Sequence, residues 1–123
     1  MTVAELTSTI NKIVDDLDFA TARVLLEENM DVLNEHRNRL NSNARELLNF
    51  ISEMHKTGAQ PLTRKEMSLI NAVNSYASKF DVRGLKLLIK DHPKLFLRSD
   101  LASYINADAK IVLESLGAIQ KNN

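Results

Sequence analysis

The sequence predicts an all-α protein: about eight short helices, arranged as two similar, tandemly duplicated helical units in a single domain over 1–123, either a compact bundle or a short α-solenoid. Three observations carry that expectation. Apolar residues recur at three- and four-residue spacing, with no sustained strict alternation and no Asn-Gly or Asp-Gly hairpin signal. Thr, Asp or Asn stands before most of these stripes, and Gly or Pro follows several, which is the punctuation of capped helices. Finally, the chain resembles itself.

Residues 4–33 laid over 67–96 bring the apolar positions into register, among them Leu6/Leu69, Ile10/Val73, Leu17/Phe80, Leu25/Leu88, Leu26/Ile89 and Leu33/Phe96. Asn11/Asn74 and Asp18/Asp81 match as well, and with two extra residues after Phe96 the block 40–51 falls on 105–116 with identities at Asn41/Asn106, Ala44/Ala109 and Leu48/Leu113. Identities are few, so the weight rests on the shared apolar period and on the shared break after Leu17/Phe80. The units span 3–55 and 63–117, with a linker over 56–62.

Thr2 and Glu5 have capping-box spacing, so a helix is expected from Val3, carrying Leu6, Ile10, Ile13, Val14 and Leu17 on one stripe. Asp18 caps a second helix through Phe19, Ala22, Leu25 and Leu26, and a short third runs through Val32, Leu33 and His36. Asn41 or Ser42 caps a fourth through Leu47, Leu48, Ile51 and Met54, stopped by Gly58. Thr63 and Glu66 repeat the capping-box spacing for a fifth through Met67, Ile70, Val73, Ala77 and Phe80. Asp81 caps a sixth through Leu85, Leu88 and Ile89, and Pro93 suits the first turn of a seventh, where its missing N–H costs nothing. Asn106 caps the last, through Ala109, Val112, Leu113 and Leu116, ended by Gly117, and the tail Gln120 to Asn123 is expected to fray. Leu25 and Leu88 are expected as equivalent buried positions, with their two helices packed centrally against each other. Phe19, Phe50, Tyr76, Phe80 and Phe96 are expected in the core, with the Tyr104 hydroxyl at the surface.

With 123 residues, 44% of them hydrophobic and 26% charged, the chain is long enough to bury a core without metal or disulfide staples. It contains no cysteine, which suits a reducing, cytoplasmic setting, and no apolar run approaches the length of a membrane span. Net charge is zero, yet residues 1–60 carry a balance of −4 and residues 61–123 a balance of +4. Docking of the two halves within one chain would use that complementarity, and the short linker favours it, so a monomer is expected over a homodimer.

No residue set has the spacing that catalysis demands. His36, His55 and His92 are far apart, no HExxH occurs, and the residues three before them are Leu33, Ser52 and Ile89 rather than the Glu of a di-iron bundle. Asp15, Asp16 and Asp18 lack the Gly turn and closing Glu of a calcium loop, so helix capping accounts for them better. No catalytic, cofactor-binding or metal residue is therefore assigned, and no cofactor is expected. The one interaction face the spacing suggests is the basic stripe Arg83, Lys86, Lys90, Lys94 and Arg98, with Pro93 interrupting its geometry. Gly84, inside a helix, costs about 0.5–1 kcal/mol relative to Ala and implies a close approach that offsets it. These features point to a non-catalytic protein-interaction or regulatory module. The alternatives are a ligand-binding protein or enzyme with its site between the two units, and a nucleic-acid binder acting through the Arg83–Arg98 face, which the neutral charge and missing groove-reading motif disfavour.

Overall fold

A computed structural model of the chain describes residues 1–58 and 60–120; the linker residue Ala59 and, of the tail expected to fray, Lys121 to Asn123 lie outside the described residues. Within them the chain folds into eight α-helices and two single 3-10 turns, without strands. The order is α1 (Val3–Asp15), α2 (Phe19–Glu28), α3 (Met30–Glu35), a 3-10 turn at Arg37–Arg39 and α4 (Ser42–Thr57), then α5 (Arg64–Ser78), α6 (Val82–Asp91), α7 (Pro93–Phe96), a 3-10 turn at Leu101–Ser103 and α8 (Ala107–Leu116).

The helix starts follow the cap residues. The Thr63 hydroxyl accepts from the Glu66 N–H at 3.0 Å and the Glu66 carboxylate accepts from the Thr63 N–H at 3.0 Å, a complete capping box. At Thr2 only half of the box forms: the hydroxyl accepts from the Glu5 N–H and donates to the Glu5 carboxylate at 3.0 Å, so Glu5 never reaches the backbone. Asp18 and Asp81 accept from the Thr21 and Gly84 N–H groups, and Asn41 and Asn106 accept from those of Ala44 and Ala109. Gly58 and Gly117 end α4 and α8 with φ of +79°.

A second use of asparagine ties each half together. Asn11 on α1 accepts from the Asn41 N–H at 2.9 Å and donates to the Arg39 carbonyl, while Asn74 on α5 accepts from the Asn106 N–H at 2.8 Å. One side chain on the first helix of each half thus holds the start of its last helix. The chain also turns in the same way after α1 and α5, with Leu17 and Phe80 the only non-glycine residues at positive φ among those described (63° and 54°). A bulky side chain in that left-handed region is strained by about 1 kcal/mol. Phe80 is 73% exposed, so burial contributes little in return. Phe80→Asn is therefore expected to raise stability by about 0.5–1 kcal/mol in denaturant melts, whereas Leu17→Asn, which removes a half-buried side chain, is not.

One apolar core runs through both halves, built from Ile10, Leu26, Leu33, Leu47 and Leu48 in the first and Val73, Leu85, Ile89, Leu101 and Leu113 in the second, all fully buried or nearly so. Three sequence expectations are corrected here. Leu25 is only half-buried while Leu26 is wholly enclosed, so α2 turns its Leu26 edge inward. The α2 and α6 helices are not a principal packing pair: α2 lies on α1 and α4, α6 lies on α5, and the halves meet where α7 packs against α4. The junction is occupied instead by α7 and the residue after it, where Leu95, Phe96 and Leu97 are buried. Phe80 is a third correction, since the turn that brings it to positive φ also carries it off the α5 stripe and into solvent.

Two hydrogen bonds reinforce the junction. The Ala20 N–H, one of the unpaired donors in the first turn of α2, donates to the Gly117 carbonyl at the end of α8 (3.0 Å), and Arg23 donates to the Leu97 carbonyl at 2.7 Å. The described residues contain ion pairs only within a half, Arg23 with Glu27 and Arg98 with Glu66 and Asp100. The −4 and +4 balances are therefore not joined by any charge pair across the junction among the described residues.

Candidate functional site

The basic stripe divides into three environments. Arg83 and Lys86 are exposed on α6, at three-residue spacing on one face. Lys90, near the end of the same helix, lies with Pro93 over a cleft whose other wall is Val14, Leu17 and Phe19 of the first half. Lys94 is exposed on α7, because α6 ends at Asp91 and Pro93 starts a new, four-residue helix in a different direction.

Arg98 is a correction: it does not belong to an exposed face. Its side chain is 7% exposed, with Nε 2.9 Å from one Asp100 carboxylate oxygen and Nη2 3.0 Å from the other, and it also donates to the Gln60 carbonyl at 2.6 Å. Glu66 lies 3.7 Å away. The bidentate hydrogen bond to Asp100 raises the Arg98 pKa, and the same bond holds the Asp100 carboxyl below its ordinary range. This guanidinium clamps the linker to the segment after α7. Sequence reasoning missed it because its partners, Gln60 and Glu66, are more than thirty residues away; the only local signal was Asp100 two residues on.

Two results are expected at this clamp. Arg98→Met, which keeps the stem but leaves the Gln60 carbonyl and the Asp100 carboxylate without their donor and removes the ion pair with Glu66, should cost about 1–3 kcal/mol in thermal or denaturant melts. Asp100, with a folded pKa below its unfolded one, contributes stability that is present above the unfolded value and is lost as pH falls through the folded value. The native protein and Asp100→Asn should accordingly differ at neutral pH and converge in acid, by a small amount because the carboxylate is partly solvated.

A cavity of about 350 Å³ opens between the halves, lined in part by Phe19, Arg23, Glu27, Phe96 and Lys110. Its charged groups are largely committed. Arg23 donates to Glu27 at 2.8 Å and to the Leu97 carbonyl, which leaves Lys110 as the free cation facing it among the residues named. Asp15, Asp16 and Asp18 join no group of three or more metal-ligating side chains among the described residues. No described helix is long and apolar enough to cross a membrane.

What sequence reasoning did not place at the surface is apolar. Phe80 and Val82, flanking the Asp81 cap, stand in solvent beside Arg83 and Lys86, with Leu87 on the outer side of α6. The residues that align with them in the first half, Leu17 and Phe19, are half-buried and buried, and they share a cleft with Lys90 and Pro93. The signal that was available is the position of Phe80 itself, one residue before a helix cap at a sharp break in the period.

Compared with protein-family models, curated proteins and solved structures, the chain shows no match.

Proposed function

We propose that the chain is a tandem pair of copies of one helical unit, 3–55 and 63–117, acting as a non-catalytic protein-interaction module in the cytoplasm. The observation that carries the reading is the surface formed by Phe80, Val82, Arg83 and Lys86: an uncovered apolar group ringed by positive charge, at the place where the other half is covered. Exposed aromatic and aliphatic groups beside Arg and Lys are the composition of a protein contact. The recurrence of helix order, caps and asparagine tethers supports the tandem reading, and stacked helical units serve as contact surfaces.

The experiment is affinity capture from cell extract on immobilised protein, native and Phe80→Asn side by side, with a metabolite thermal-shift screen run on both. A protein retained by the native chain and lost from the variant is the expected result. A single class of small molecule that raises the melting temperature of both, and ceases to do so on Lys110→Ala, would overturn it in favour of a ligand site in the cavity between the halves.

A further inference from the structure

The junction inside the chain has a giving side and a receiving side, and each has a counterpart left open at one end of the molecule. On the giving side, α7 packs against α4, and Leu95 and Leu97 are 3% and 1% exposed. The place on α3 that aligns with Leu95 is Val32, 39% exposed. On the receiving side, Leu47 and Ile51 of α4 and Phe19 of α2 are buried. Their counterparts, Val112 and Leu116 of α8 and Val82 of α6, are only partly covered or exposed, and beside them Phe80 stands where Leu17 is half-buried.

Charge separates these two open faces. Around α3, Glu28, Asp31 and Glu35 outnumber Arg37, which donates to the Asn34 side chain at 3.1 Å, while Glu27 is already paired with Arg23. Around the other face lie Lys79, Arg83 and Lys86, against Asp81, occupied by its cap bond to Gly84, and Asp108, one turn before Val112 on α8. Among the described residues Asp31, Glu35, Arg83 and Lys86 form no ion pair, within a half or across the junction.

We propose that a second copy of this chain occupies these faces, head to tail, with the acidic α3 end of one copy seated on the Phe80–Val82 face beside α8 of the next, as α7 is seated on α4 within the chain. This rests on the reading of the two halves as copies, since that reading sets which surfaces correspond. Asp31 and Glu35 then lie opposite Arg83 and Lys86, and Val32 enters the position that Leu95 fills internally. Pairing of like faces would set acid on acid or base on base, so the contact is heterologous and adds copies in a line or a ring. The linker accounts for the junction inside the chain and leaves both outer faces free, so a single chain at low concentration is compatible with association as concentration rises. A contact built on one short helix is small, which makes the association reversible and sensitive to salt.

Sedimentation velocity on the full chain tests this. The weight-average mass should rise with concentration at low ionic strength and fall back towards that of one chain in about 0.5 M salt. Phe80→Asn, which relieves backbone strain and so keeps the fold, should weaken association about tenfold or more. Two charge-reversed chains give the sharper result: Asp31→Lys with Glu35→Lys, and Arg83→Glu with Lys86→Glu. Each alone should sediment as a monomer, and an equimolar mixture should associate, because each reversed face then meets one of opposite sign; recovery in the mixture also shows that both variants are folded. A native chain that keeps the mass of a monomer up to about 1 mM overturns the proposal. So does continued association of the Asp31→Lys, Glu35→Lys variant by itself, which would indicate pairing of the basic faces through Phe80. If the copies fail to associate while Phe80→Asn still abolishes capture of another protein, the interaction surface stands and the second copy as its occupant falls. If Phe80→Asn alters neither, both fall.

Discussion

Leu26→Ala is expected to cost about 2–5 kcal/mol, a large share of the stability of a domain this size, because the side chain is fully enclosed and its loss leaves a cavity that the helices around it fill only in part. Ile89→Ala, at the matching place in α6, should fall in the same range, since Ile89 is also wholly buried. Leu25→Ala should cost clearly less, about 1–2 kcal/mol, because part of that side chain is already in water. Urea melts of the three variants decide the matter by their order. If Leu25→Ala proved as damaging as Leu26→Ala, the rotation of α2 described above would be wrong.

Gly84→Thr, which puts the first-half residue at its second-half place, should lose about 2 kcal/mol. A Cβ at Gly84 would lie 2.8 Å from the Asp81 carboxylate and 2.9 Å from the Tyr76 ring, closer than real contacts allow. Asp81 is held there by its cap bond to the Gly84 N–H, and the Tyr76 ring packs against the core, so neither yields cheaply. The sequence alignment sets Ile13 against Tyr76 and Thr21 against Gly84, a pairing with the sizes exchanged. Tyr76→Ile should therefore rescue Gly84→Thr: the double variant is expected to be at least about 1 kcal/mol more stable than the sum of the single losses. Strict additivity would mean that the two positions do not share one contact, and the equivalence of the α1–α2 and α5–α6 pairs would lose its best support.

The candidate site was legible only in part. Arg83, Lys86 and Lys90 could be placed on one helix face from their spacing, and Pro93 was visible as the interruption that ends it. Arg98 could not be separated from that stripe, because what removes it is a carboxylate at Asp100 together with the Gln60 carbonyl, which the chain brings back from the other side of α5. Phe80 was misread for the opposite reason. By period it continues the stripe of Val73 and Ala77, but the helix ends at Ser78 and the backbone enters the left-handed region at Phe80 itself.

The sequence by itself determined where helices begin and end. Thr63, Asp18, Asp81, Asn41 and Asn106 cap helices through bonds that span three residues, and Gly58 and Gly117 stop them through a φ that other residues resist; such interactions close within one turn and need nothing from the rest of the chain. Only the tertiary structure decided which of two adjacent leucines on α2 faces inward, which cations remain exposed, and why Leu17 is sheltered while Phe80 is not. Burial depends on what arrives from elsewhere, here α7, its flanking residues and the end of α8 against the first half, and no local pattern distinguishes a face that is met from an equivalent face that is left open.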